Sequence, residues 1–220
     1  MTRQGGEREG GPSRRLLGAV LAGGLSRRFG SDKALYPLGG RPMAWYALEA
    51  LRPWTTEQVV ITGNSRVSDA LGVSGRPDLI SGLGPLGGLM TGLSWAEELG
   101  LDGVFLLACD LPLVSPDLVG RIVNAWPRGV LAVSPGSPGP LGFEPLCSAY
   151  AVAGLPLLEG LLEERGVLGG GEDPPGRGRE VPRKIGDLSM RDALYRLEGV
   201  VIPEGRVGAS EDLRSSFSNV

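Results

Sequence analysis

The sequence predicts a three-layer α/β/α sandwich around a mostly parallel, Rossmann-like sheet. Short apolar runs alternate with segments of helical periodicity, as repeated βαβ units require. Val104 to Cys109 is almost wholly apolar, which suits a central parallel strand covered on both faces. The polar, glycine-rich and acidic residues follow the ends of the apolar runs, where open α/β sheets bind their ligands.

Each element has its own signal. Leu16 to Leu21 is the first strand. Pro42 opens a helix with Met43, Tyr46, Ala47, Ala50 and Leu51 on one face. Gln58 to Thr62 reads as the second strand, ended by Gly63-Asn64, and a short helix follows over Val67 to Leu71. Gly84-Pro85 starts a helix that runs to about Leu99. Ser115 caps a helix with Pro116 at its first position, ending near Trp126-Pro127. Val130 to Ser134 and Leu146 to Val152 read as strands, with a helix over Leu155 to Arg165. Asp187 to Leu197 is helical, Val200 to Ile202 a last strand, and Glu211 to Phe217 a last short helix. Gly166 to Pro182 is rich in Gly, Pro and Arg and reads as a long mobile loop. The length of 220 residues suggests one domain over residues 14–220, preceded by a disordered, charged, Gly-rich tail over residues 1–13.

Composition narrows the chemistry. There is no histidine, so Ser-His-Asp and Cys-His catalysis, histidine-bound zinc and imidazole proton shuttles are excluded. A net charge of -3 argues against a protein that coats nucleic acid. Basic residues instead cluster locally at Arg27, Arg28, Lys33 and Arg41, which fits a small anionic ligand. Cys109 and Cys147 form no C-x-x-C pair and read as buried free thiols. The absence of an apolar leader or a membrane-length run points to a cytoplasmic protein without a membrane partner.

The most informative stretch is Leu21-Ala22-Gly23-Gly24-Leu25-Ser26-Arg27-Arg28-Phe29-Gly30-Ser31-Asp32-Lys33. A strand, then a Gly-rich basic turn, is what a polyphosphate site needs: glycines bring N–H groups close to the anion, and guanidinium and ammonium groups neutralise it. It is neither a P-loop nor a dinucleotide fingerprint, because Lys33 follows Gly30-Ser31-Asp32 and Gly23 and Gly24 are adjacent. Asp110, in Ala108-Cys109-Asp110-Leu111-Pro112, ends a central strand and is well placed to hold a cation; Mg2+ prefers one or two carboxylates with phosphate oxygens and water. Asp78 lies shortly before Gly84-Pro85-Leu86 and, from spacing alone, suits a solvated turn as well as a base-reading carboxylate. Asn64 at a strand end suits a turn on the same ground.

The pattern L-A-G-G-x-S-x-R-x-G-x-D-K resembles the molybdenum cofactor nucleotidyltransferases, closest to the guanylyltransferases. The resemblance covers roughly residues 15–165. It implies the nucleotide-diphospho-sugar transferase type of fold and transfer of GMP from GTP to molybdenum-molybdopterin, with release of pyrophosphate. It also implies a Mg2+ cofactor, and molybdenum-transfer proteins and acceptor molybdoenzymes as partners. Carried onto this chain, the nucleotide is held by Leu21, Ala22, Gly23, Lys33, Asn64, Asp78 and Asp110. Arg28, Lys33 and Asp110 serve the reaction, and Asp110 is the metal ligand. The chain departs from the family twice. Glu144 precedes Pro145-Leu146 where relatives carry Gln or His. The C-terminal N-x-N-T-P-E-D-L element is replaced by Arg206-Val207-Gly208-Ala209-Ser210-Glu211-Asp212-Leu213, so Gly208 cannot supply the second asparagine that helps complete the metal site in relatives. Cytidylyl transfer, sugar-phosphate nucleotidyl transfer and a non-catalytic carrier of molybdenum cofactor are the alternatives.

Overall fold

The apolar runs assemble into one seven-stranded sheet. The computed structural model describes residues 14–23, 32–168, 179–180 and 188–218. Arg27, Arg28, the tail over residues 1–13 and most of the 166–182 segment lie outside these. The strands are β1 (Leu16–Leu21), β4 (Glu57–Ile61), β5 (Ser74–Arg76), β7 (Gly103–Ala108), β8 (Ala132–Pro135), β9 (Cys147–Ala151) and β11 (Val200–Ile202), in the spatial order β11-β8-β9-β7-β1-β4-β5. β1, β4, β5 and β7 pair in parallel, β11 is parallel to β8, and β9 runs antiparallel to both β7 and β8. Two-residue pairs add a small hairpin, β2 (Pro37–Leu38) with β3 (Arg41–Pro42), and a parallel contact of β6 (Ile80–Ser81) with β10 (Arg179–Glu180).

Helices cover both faces of the sheet: α1 (Met43–Leu51), α2 (Ser65–Leu71), α3 (Pro85–Glu98), α4 (Pro116–Asn124), α5 (Leu155–Glu164), α6 (Met190–Arg196), α7 (Glu204–Val207) and α8 (Ser210–Ser216). Strand alternation divides the core in two. Leu16, Val20, Phe105 and Leu107 join Ala47 and Leu51 of α1, Val119 and Ile122 of α4, and Leu213 of α8. Leu17, Ala19, Val104 and Leu106 join Leu89 and Leu93 of α3, Leu158 and Leu162 of α5, and Ala193 of α6. Each fully buried large side chain of these layers contributes about 1.5–3 kcal/mol. The two-sided burial of β7 is why its sequence is a continuous apolar run.

Local signals set the element ends. The Asn64 side chain accepts from the Arg66 N–H and starts α2 two residues earlier than the apolar pattern suggests. Ser115 Oγ accepts from the Leu118 N–H at 3.2 Å with Pro116 in the first turn of α4. Ser189 and Asp192 form a reciprocal capping box at α6. Gly84, which precedes α3, adopts φ 55°, a conformation that favours glycine.

β8 and β9 form an antiparallel hairpin whose tip lies at the carboxyl-end rim of the parallel strands. Gly136 bridges to Phe143, and the Ser137 N–H donates to Gly142 O at 3.1 Å. Both cysteines are free and buried.

Candidate active site

At the carboxyl ends of β1, β4, β5 and β7 lies a cleft of about 900 Å3. Its walls include Leu21, Ala22, Gly23, Asp32, Lys33, Asp78 and Asp110. Six of the residues expected from the sequence therefore line one space: Leu21, Ala22, Gly23, Lys33, Asp78 and Asp110. Asn64 does not line it but braces a residue that does. Arg28 is outside the described residues.

The sheet ladder places the first loop. The Ala22 N–H donates to Ile61 O at 3.0 Å and the Cys109 N–H to Leu21 O at 3.1 Å, so the chain leaves β1 clamped between its neighbours. Asp32 then holds the turn that carries Lys33. Its Oδ1 accepts from the Ala34 N–H at 3.2 Å, and its Oδ2 accepts from Asn64 Nδ2 at 3.0 Å. Lys33 Nζ stands 3.4 Å from Asp110 Oδ2, with the two side chains 23% and 31% exposed. At that burial the pair is reachable by a ligand and incompletely screened. Asp32 was not singled out from the sequence. Its signal was its place beside Lys33, at the position that caps a short helical turn.

Asp78 follows β5 and folds back over the first turn of α3. A Cβ added at Gly87 would stand 3.6 Å from Asp78 Cγ, and one at Gly88 the same distance from Asp78 Oδ1. Small residues at the start of α3 thus make room for the carboxylate. Asp78 has no hydrogen-bond or ionic partner among the described residues, and burial raises its pKa. Two unused carboxylate oxygens facing a cleft can accept a pair of adjacent donors.

A second cavity of about 560 Å3 adjoins the first, and Ala108, Asp110 and Leu146 line both. Its other walls are Leu111, Ser137 to Pro140, Glu144, Arg214, Phe217 and Ser218. The segment Arg206 to Leu213 lines neither space. The Arg121 guanidinium donates to Val207 O at 3.1 Å, and a Cβ at Gly208 would meet the side chain of Leu213 at 3.5 Å. Glu144, seen in the sequence only as a departure from the family, is half-buried beside Asp110. Its pKa is raised by burial, an effect that the hydrogen bond from the Leu146 N–H partly offsets and the Asp110 charge reinforces.

Residues 18–170 match the family model of the MobA-like NTP transferase domain. The chain belongs to that family. A probable molybdenum cofactor guanylyltransferase from Thermococcus gammatolerans is 33% identical over 210 residues, covering 93% of this chain and 94% of the relative. The molybdenum cofactor guanylyltransferase of Rhodobacter capsulatus is 41% identical over 116 residues, which are 51% of this chain and only 60% of that protein. Among solved structures, the molybdopterin-guanine dinucleotide biosynthesis protein A of Archaeoglobus fulgidus superposes with a TM-score of 0.60 at 23% identity, covering 93% and 92% of the two chains. That likeness shows a shared fold. In this MobA-like domain the family match covers the loop after β1, Asn64, Asp78, Asp110 and Glu144, and ends before α6 to α8. No helix of the described residues is long and apolar enough to cross a membrane.

Proposed function

We propose that this MobA-like domain transfers GMP from GTP to molybdenum-bearing molybdopterin. A terminal phosphate oxygen of the pterin attacks the α-phosphorus of GTP. A new P–O bond forms as the bond to the leaving pyrophosphate breaks, and no covalent enzyme intermediate is needed. The names of the relatives and the chemistry of the larger cleft support this reading. The observation that carries it is the joint lining of that cleft by the Lys33–Asp110 pair and the unpartnered Asp78 carboxylate.

Each residue has a role in this reading. The N–H groups of the loop after Leu21 bind the nucleotide, and Lys33 and Arg28 offset charge on the phosphates as pyrophosphate departs. Asp78 accepts from the guanine ring N–H and amino group. Asn64 acts through Asp32, whose carboxylate fixes the turn carrying Lys33. Asp110 fits Mg2+, since a partly exposed carboxylate at a strand end leaves room for phosphate oxygens and water around the ion. When bound there, Mg2+ supplies electrostatic stabilisation of phosphate oxygens.

The test is pyrophosphate release with GTP, CTP and ATP, in the presence of Mg2+ and molybdenum-molybdopterin. GTP is expected to lead by at least about tenfold, the cost of leaving the half-buried acceptors of Asp78 unpaired. Faster turnover with CTP moves cytidylyl transfer to first place. Nucleotide binding without turnover of any of the three identifies a carrier instead.

A further inference from the structure

The second cavity has the features of a site for a flat, anionic ring system. Arg214 projects from α8 and has no acidic partner among the described residues. Phe217 supplies an aromatic wall, and Ser137 and Ser218 bring hydroxyls. The volume of about 560 Å3 accommodates a bicyclic ring with a substituent.

Glu144 is held in this cavity by backbone and side-chain hydrogen bonds. Its N–H donates to Pro135 O at 3.0 Å, and its carbonyl accepts from the Cys147 N–H at 3.1 Å and from Ser148 Oγ at 2.6 Å. Its Oε1 accepts from the Leu146 N–H at 3.2 Å, which leaves Oε2 without a protein partner among the described residues. Ser148 is itself tied to Ser134, and Tyr150 Oη donates to Pro145 O at 2.8 Å, so the segment is braced from below. A carboxylate held this way is preorganised for a ligand with donors on one edge.

Chemistry then names the class of ligand. A 2-amino-4-oxo-pyrimidine edge offers a ring N–H and an adjacent amino group, and guanine and pterin share it. The chain places a half-buried carboxylate in each of two adjoining cavities, Asp78 in one and Glu144 in the other, with Asp110 on the boundary. We infer that the second cavity holds the pterin of the acceptor, that Glu144 is the specificity-determining residue reading its 2-amino-4-oxo edge, and that Arg214 meets its anionic substituent. This rests on the nucleotidyl-transfer reading, and it assigns the acceptor's place and the residues that choose it.

The experiment is calorimetric titration of pterin-6-carboxylate and lumazine-6-carboxylate into the full chain saturated with Mg2+ and GTP. Lumazine carries an oxo group where pterin carries the amino donor. The wild-type protein is expected to prefer the pterin by about tenfold. Glu144→Gln keeps an acceptor for Leu146 and is expected to abolish the preference while leaving the GTP affinity, titrated separately, unchanged. Arg214→Ala, on an exposed helix position, is expected to weaken both probes by the same factor. The inference is overturned if GTP displaces the pterin, if Glu144→Gln retains the preference, or if neither probe binds at millimolar concentration. Absent GTP binding by the wild-type protein would instead sink the nucleotidyl-transfer reading itself.

Discussion

Lys33 shows how much one side chain can be asked to do. It faces Asp110 across 3.4 Å and sits on a turn pinned by Asp32. If its ammonium offsets charge that grows as pyrophosphate leaves, Lys33→Ala lowers turnover about a hundredfold, roughly 3 kcal/mol of barrier. GTP affinity falls less. Stopped-flow pyrophosphate release beside equilibrium titration separates the two. Asp110→Asn keeps the shape and removes the charge, so Mg2+-dependent turnover collapses while thermal unfolding stays cooperative. Asp78 adds a pH signature. Burial raises its folded pKa above the unfolded value, so the folded chain favours the protonated form more than the unfolded chain does. Its contribution to stability is greatest in acid and is lost as pH rises through the raised folded pKa. Guanine needs the charged form. GTP affinity is therefore expected to fall on acidification at a pH above the ordinary aspartate value. Asp78→Asn is expected to erase that step, and any stability it gains over the wild type grows from acid toward neutral pH. Titrations across a pH series and parallel thermal melts check both.

At the scale of elements, the glycines of two helices make opposite forecasts. A Cβ at Gly87 in α3 would lie 2.8 Å from Ile80 O, and backbone cannot swing aside as a side-chain tip can. Gly87→Ala therefore shifts the Asp78–Ser81 segment, with a net loss of about 1 kcal/mol after the gain in helix propensity, and weaker GTP binding. Gly160 in α5 has open space where a Cβ would go. Gly160→Ala is expected to raise stability by about 0.5–1 kcal/mol and leave GTP binding alone. Denaturant midpoints and titrations of both variants decide the matter. Legibility followed burial in the same way. β1 and β7 were readable because cover on both faces demands an unbroken apolar run. β5 was not, because Ser74-Gly75-Arg76 is three residues at a sheet edge, paired on one side only. An apolar run also carries no direction, so nothing in Cys147 to Ala151 announced that β9 runs against its neighbours.

For the molecule as a whole, the larger cleft was legible because most of its chemistry lies in strand-end loops with local signatures. The smaller cavity was not, since it joins Ser137 to Pro140, Glu144 and the end of α8 from distant parts of the chain. Global packing also raises both thiols. Burial, with the Asp110 charge second, pushes Cys109 up to about 12, and burial raises Cys147 well above its ordinary value. Cys109 borders the larger cleft, whereas Cys147 is fully buried and does not react with a thiol reagent near neutral pH until the fold opens, so its labelling rate reads the opening equilibrium. Fast labelling of Cys147 in the native chain would disprove the packing described. The β8–β9 hairpin gives the molecule a further property. Its ladder belongs to the sheet, but its tip, residues 137–142, hangs at the rim and carries no core side chain large enough to anchor the fold. Such a tip can be exchanged without disturbing the strands beneath, and Ser137 to Pro140 on it wall the smaller cavity. The mouth of that cavity can then be reshaped while Glu144, held by the ladder, and the strand ends of the larger cleft stay in place.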